Sequence, residues 1–407
     1  MKNTIIASFA CGLLFACSSS NNRLTDGIWR AEFLVPDDTI PFLFEVSGAD
    51  SDNAVLTLIN GRERVNLTGI SYRNDTVIIP IDAYDAVLEA VVSGGGMTGT
   101  LIKRYSTAPS GRVPFTAQKG VAPRFPDNGE KALISIDGRW EITVPERDSA
   151  KQVGVFEQSG DGHLTGSILT PTGDYRYLEG SVRGNTFLLS AFAGMTPYLV
   201  RGEFSDDDNF TAEFVTPSSV TRFTGTRNPE ASLPDAYAMT TLKSGFTSVD
   251  FRLPDLDGRP ISLSDPKFNN KAVIVTVLGS WCPNCLDETS FLAPWYKANR
   301  ERGVEIIGLA FERKDDFEYA RKQLSQLKAH YGIEYDILFA GKVGEETTSK
   351  VLPELSKVMS YPTMIFIDRK GRVRKIHTGF SGPATGVFYE NFKTEFNRTM
   401  DELIAEK

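Results

Sequence analysis

In Lys271-Ala272-Val273-Ile274-Val275-Thr276-Val277-Leu278-Gly279-Ser280-Trp281-Cys282-Pro283-Asn284-Cys285-Leu286-Asp287-Glu288 a strand hands over to a helix at a pair of cysteines. The first eight residues form a nearly unbroken β-branched run, the pattern of a strand buried on both faces. Beyond the cysteines, Phe291, Leu292, Trp295 and Tyr296 recur at helical spacing, with Asp287 and Glu288 in the early turns. A cysteine at a helix N-terminus meets unpaired backbone N–H groups and the positive end of the helix dipole. Both favour thiolate, the reactive species, over thiol. Cys285 lies one turn on, so the two sulfurs can close a Cys282–Cys285 disulfide, and the pattern predicts a redox site.

Other uses of two cysteines fit less well. Tetrahedral zinc wants two more ligands, and His163, His330 and His377 stand in no ligand spacing with a second cysteine. No metal and no cofactor is expected. A structural disulfide within one helical turn closes almost no loop. A peroxidatic cysteine would lack a partner three residues away.

The first residues are read as a leader. Met1-Lys2 precedes an apolar run from Ile5 to Ala16, too short for a bilayer span and right for a secretory segment. It ends in Leu14-Phe15-Ala16-Cys17, similar to a bacterial lipoprotein processing site, so residues 1–17 are expected to be the signal and Cys17 the lipidated residue. An ordinary cleaved signal with a soluble product is the other reading. Residues 18–26 read as a tether. Of four cysteines, Cys11 would leave with the signal and Cys17 would carry lipid. Only Cys282 and Cys285 then remain free in an oxidising compartment, where two cysteines one turn apart imply chemistry. A net charge of −8 argues against nucleic-acid partners. The basic run Arg369 to Lys375 reads as a solvated hairpin.

At 407 residues the chain should hold two or three domains. From Leu24 to Pro229 the pattern is antiparallel β throughout, and it repeats. Gly27-Ile28-Trp29-Arg30 answers Gly138-Arg139-Trp140-Glu141, and Leu67-Thr68-Gly69 answers Leu178-Glu179-Gly180 at the same offset. Asn74 to Ile79 answers Gly184 to Leu189, and Phe115-Thr116-Ala117 answers Phe223-Thr224-Gly225. The units are placed at 27–118 and 137–228, each a small sandwich or barrel, or together one larger one. Asp50 to Asn53, Asp206 to Asp208 and His163 read as turn residues, and Trp29 and Trp140 as core or edge packing. No catalytic residue is assigned here; a spacer or partner-docking role is expected.

Residues 229–245 read as a linker. From 246 to 407 a hairpin around Asp257-Gly258 leads into alternating elements. Strands are expected at 271–278, 304–310, 335–340, 364–367 and up to His377. Helices are expected after Cys282, through Phe317 to Tyr331, in an insert from Val343 to Ser360, and from about Tyr389. This predicts a mixed α/β sheet with helices on both faces.

These residues resemble the thioredoxin-like thiol-disulfide oxidoreductases of the TlpA/ResA kind, exported and membrane-tethered in bacteria. The resemblance rests on Trp281 to Cys285, on Glu288, on Tyr361-Pro362-Thr363-Met364-Ile365-Phe366-Ile367-Asp368 with Gly371, and on the hairpin Phe251 to Gly258. It implies a thioredoxin-like α/β domain behind the duplicated β region. Cys282 would be the exposed nucleophile and Cys285 the buried resolving thiol. Glu288, one turn on, would exchange a proton with Cys285. Pro362 would be a cis-proline facing the pair and aligning substrate backbone, with Trp281, Pro283, Tyr361 and Thr363 touching substrate. The resemblance further implies a disulfide-bearing envelope protein as substrate, a membrane electron-donor protein, and a lipid-anchored, periplasm-facing location. Reduction is the favoured direction, because Glu288 and the buried pair belong to the reducing branch. Two alternatives stay open: a ligand- or partner-binding lipoprotein working through the β region, and a dedicated apocytochrome c thiol reductase.

Overall fold

The computed structural model describes residues 22–120, 123–145 and 151–406. The leader, Cys17 and residues 18–21 of the tether lie outside the described residues. Two nine-stranded antiparallel sheets make up the first half. The first comprises β1 to β9: Gly27–Val35, Asp38–Ser47, Val55–Asn60, Glu63–Leu67, Ser71–Arg73, Thr76–Ile81, Ala86–Ser93, Gly96–Lys103 and Arg112–Lys119. The second comprises β10 to β18: Gly138–Thr143, Gln152–Gln158, His163–Thr170, Gly173–Asp174, Leu178–Arg183, Thr186–Ala191, Tyr198–Asp206, Asn209–Thr216 and Ser219–Arg227.

In each unit the last strand returns to pair with the first. Trp29 and Trp140 hold equivalent places on β1 and β10, fully buried, which makes both core residues. Each indole N–H donates to a carbonyl four residues upstream, Thr25 O at 3.1 Å and Ile136 O at 2.7 Å. The units differ at one seam. In the second, β12 pairs with both β11 and β14, closing the sheet into a barrel. In the first, β4 and β5 stand at opposite ends of an open sheet. The second unit is therefore a barrel and the first an open half-barrel. Phe192 of the barrel fills the open face, its ring 4.7 Å from Phe33 and 5.2 Å from Phe42.

Beyond a short hairpin, β19 (Arg252–Pro254) and β20 (Pro260–Ser262), the C-terminal domain runs in order β21 (Ala272–Leu278), α1 (Pro283–Asn299), β22 (Val304–Glu312), α2 (Phe317–Tyr331), β23 (Asp336–Lys342), α3 (Glu345–Val351), β24 (Thr363–Ile367), β25 (Val373–Thr378) and α4 (Val387–Ala405). The sheet order is β23-β22-β21-β24-β25. The first three strands are parallel; β24 and β25 run antiparallel. Alternation sorts the side chains. Ile274, Ile306, Ile337 and Phe366 face the core shared with Leu292 of α1, Leu324 of α2 and Phe396 of α4. Val275, Leu309, Leu338 and Ile365 face Phe251, Phe268, Leu352 and Leu355.

This refines two expectations. The three long helices share one face, and the other is covered by the hairpin segment and the short α3. The helical insert 343–360 shrinks to α3, because Leu352 precedes Pro353 and residues before proline avoid helical ψ. Residues 229–245 connect the β region to this domain and pack on it: Thr378 N–H donates to Ala236 O at 3.0 Å, and Lys243 N–H to Glu354 O at 2.7 Å. In the basic run, Arg372 and Arg374 converge on buried Asp368 at 2.9 and 3.4 Å, so it is a paired hairpin. No helix of the described residues is long and apolar enough to cross a membrane.

Candidate active site

Strand β21 is buried along its whole length and ends at Leu278. A Cβ on Gly279 would lie 2.3 Å from the Trp281 indole nitrogen and 2.9 Å from Phe311 O, so only glycine lets the chain turn here. The turn is pinned from β22. The Trp281 N–H donates to Phe311 O at 2.9 Å. Glu312 accepts from Ser280 N at 2.9 Å and from Ser280 Oγ at 2.8 Å. Burial pushes the Glu312 carboxyl up to about 7 despite those bonds.

Cys282 is the N-cap of α1, followed by Pro283 at the first helical position, which needs no N–H donor there. Its sulfur accepts from Cys285 N at 3.2 Å and lies 3.4 Å from Tyr361 O. Cys282 and Cys285 are joined in a disulfide, their Cα atoms 5.2 Å apart. Cys285 is fully buried and Cys282 only 5% exposed. The expected exposed nucleophile is therefore covered, and the cover comes from the β region.

Glu288 lies one turn beyond Cys285, 1% exposed. Thr276 Oγ donates to its Oε2, while Oε1 has no partner among the described residues. Burial raises this carboxyl to about 8, with the Thr276 hydrogen bond opposing. The Tyr361–Pro362 peptide is cis. The Tyr361 ring sits 5.7 Å from Trp281, and its hydroxyl lies 2.9 Å from Thr348 Oγ. The Thr363 side chain is buried and donates to Ser360 O at 2.8 Å, leaving only its main chain to face a visitor. Among the described residues no group of three or more His, Cys, Asp or Glu is placed to hold a metal ion.

Beside Cys282, Pro283 and Asn284 lies a cavity of about 170 Å³, whose other walls come from the β region: Tyr84, Asp174, Tyr175, Arg176, Met195 and Tyr198 among them. Sequence reading assigned none of these, and it also passed over Glu312. The repeat carried one usable signal. Glu63 and Asp174 stand at the same offset in the two units, both acidic and both buried beside Arg176.

A disulfide-bonded cysteine pair at a strand-to-helix junction, faced by a cis-proline loop on a mixed sheet, defines a thioredoxin-fold thiol-disulfide oxidoreductase. The sequence comparisons agree. Residues 245–376 match the AhpC/TSA family. The thiol-disulfide oxidoreductase ResA of Bacillus cereus is 31% identical over 132 residues, 32% of this chain and 68% of that protein. The ResA of Geobacillus thermodenitrificans is 28% identical over 140 residues, 34% of this chain and 72% of that protein. A solved thiol:disulfide interchange protein DsbE from Chlorobium tepidum aligns at TM-score 0.31 and 22% identity, over 39% of this chain and 99% of that one. Through its C-terminal domain the chain belongs to the ResA family of thiol-disulfide oxidoreductases.

Proposed function

We propose that the protein is an exported, lipid-tethered reductase of disulfides in bacterial envelope proteins, anchored through Cys17 and recharged by a membrane dithiol donor. The observation that carries the reading is the Cys282–Cys285 disulfide at the N-terminus of α1, with the Tyr361–Pro362 loop against one sulfur and buried Glu288 one turn behind the other. In the reduced protein the helix terminus favours the Cys282 thiolate. That thiolate attacks one sulfur of the client disulfide. The client S–S bond breaks, its second sulfur leaves as thiolate, and a mixed disulfide with Cys282 remains. Cys285 then attacks Cys282 Sγ, expels the client's remaining thiolate and closes the internal disulfide. Two electrons pass from the protein to the client. Glu288 takes the Cys285 proton as that bond closes and returns it when the donor reopens the pair; a carboxyl near 8 is matched to this exchange. The main chain around Pro362, from Tyr361 to Thr363, aligns the client backbone, and Trp281 and Pro283 flank it.

Trapping tests this directly. Reduced Cys285→Ala should accumulate a mixed disulfide with its client in envelope extracts, and Cys282→Ala should capture none and turn over nothing. Undiminished turnover by Cys282→Ala would rule the mechanism out.

A further inference from the structure

The hairpin linking β12 to β14, Thr170 to Arg176, leaves the barrel and lies on the redox domain. Its equivalent in the first unit runs on into β4. Thr172 O accepts from Ser360 Oγ at 3.0 Å, beside the cis-proline loop. A Cβ on Gly379 would sit 2.8 Å from the Thr172 carbonyl carbon, so the backbones touch. Asp174 accepts from Gly382 N–H at 2.7 Å. With its amide in the satisfied orientation, Asn284 exchanges hydrogen bonds of 3.1 and 3.2 Å with the Asp174 main chain. Arg176 donates to Pro283 O at 3.2 Å and pairs with Asp287 at 3.0 Å and Glu63 at 2.6 Å. The hairpin thus rests on the first turn of α1, on the cis-proline loop and on the loop after β25. These three segments surround the disulfide.

What stays open is the cavity of about 170 Å³. An apolar cavity of about 150 Å³ holds benzene, so this one accepts a ring-sized group and no folded surface. Tyr84, Tyr175, Ala191, Ala193, Met195 and Tyr198 give it an apolar and aromatic lining, with Glu63, Asp174 and Arg176 forming a charged rim beside Cys282 and Pro283. We propose that this hairpin and cavity form the substrate-selecting half of the redox site, admitting a disulfide whose sulfur carries one small apolar group, on a small molecule or an extended segment, and excluding folded bulk. This rests on the reductase reading and narrows its substrate class. The electron count is that of the cycle above, with the small disulfide as two-electron acceptor and both its halves leaving as thiols.

Two measurements on the full chain test it. First, reduced protein is alkylated at Cys282 with a methyl-sized maleimide and with a maleimide on a 5-kDa polymer, and the two rates are compared. Gly173→Val is the wedge variant, because a Cβ there would lie 1.7 Å from the Asn284 side-chain amide. It should raise the polymer-to-small rate ratio at least tenfold, and Ser360→Ala should raise it less. Second, reduced protein is offered an aromatic disulfide, a methyl disulfide, a short linear peptide disulfide and insulin. Ala193→Phe, which fills the cavity, should lower the aromatic-to-methyl ratio of kcat/KM about tenfold. Aromatic turnover well above peptide turnover would assign a small-molecule substrate, and the reverse an extended segment. A thermal midpoint within a few degrees of wild type shows that each variant folds. A polymer ratio near one in wild type, or ratios that neither variant moves, would overturn the inference while leaving the reductase reading intact. Failure of wild type to reduce any of the four would overturn that reading itself.

Discussion

Between pH 4.5 and 8, Glu288 holds a proton that the unfolded chain has released. The cause is burial, with Thr276 the only side chain opposing it. The sign of the stability effect follows. Because the folded protein binds the extra proton, stability falls as pH rises through this interval and levels off above 8, with a slope of up to about 1.4 kcal/mol per pH unit. Glu288→Gln removes the titration. Subtracting its denaturant-unfolding curve from that of the wild-type disulfide form should leave a difference that declines from pH 5 to 8; a flat difference would mean a solvated carboxylate. Kinetically, the variant should slow client reduction about 100-fold, the low end of the usual scale of general acid–base help, and should lose the wild-type inflection near pH 8. Glu288 was legible because its position needs only helical spacing from Cys285. Glu312 was not. Its contact with Ser280 is made across two parallel strands, and parallel register is set by packing that no local pattern encodes.

The elements of the barrel show why one repeat closes and the other stays open. Across the second unit, large side chains pair with glycines: Trp140 with Gly154, Phe156 with Gly166, Phe187 with Gly202 and Phe210 with Gly225. A Cβ on Gly202 would sit 2.2 Å from the Phe187 ring, and one on Gly225 2.1 Å from the Phe210 ring. The rings therefore lie over bare backbone, which lets the strands curl tightly enough to meet. The first unit has one such pair, Phe115 with Gly99, while Phe44 faces Leu58 and Phe33 faces Ile40, whose bulk holds the sheet wider. Gly225→Ala should cost about 1–3 kcal/mol through overpacking. Gly160→Ala, whose Cβ meets nothing within 4 Å, should stay within about 0.5 kcal/mol. Equal midpoints for the two in chemical denaturation would remove the argument. The repeat itself was readable from its tryptophans and turns. Closure was not, because a repeat shows itself where the copies match, and closure depends on where they differ.

At the scale of the whole molecule, the β region's seat on the redox domain had a single sequence signature, the acidic residues Glu63 and Asp174 at one offset in the two units. No local pattern ties them or Arg176 to Asp287, and only the tertiary fold brings them together. That seat makes access to the site depend on pH. Asp287 is raised from 3.8 to about 7, chiefly by burial; Arg176 opposes this, and Asp174 and Glu63 add to it. Asp174, on the hairpin itself, is also raised by burial. Lifting the hairpin would return Asp287 to water and towards 3.8, so closure takes up a proton between those two values. Acid therefore favours the covered state. The ion pair with Arg176 does not reverse this sign, because desolvation outweighs it. The polymer-to-small alkylation ratio at Cys282 should climb from pH 5 to 7, by up to about tenfold per unit, and level off above 7. Taking a ratio cancels the thiol's own titration, which both reagents share. Asp287→Asn should keep the low ratio of the acid limb and flatten most of the rise, with Asp174 supplying what remains. A wild-type ratio independent of pH would show that the hairpin does not control the approach to Cys282.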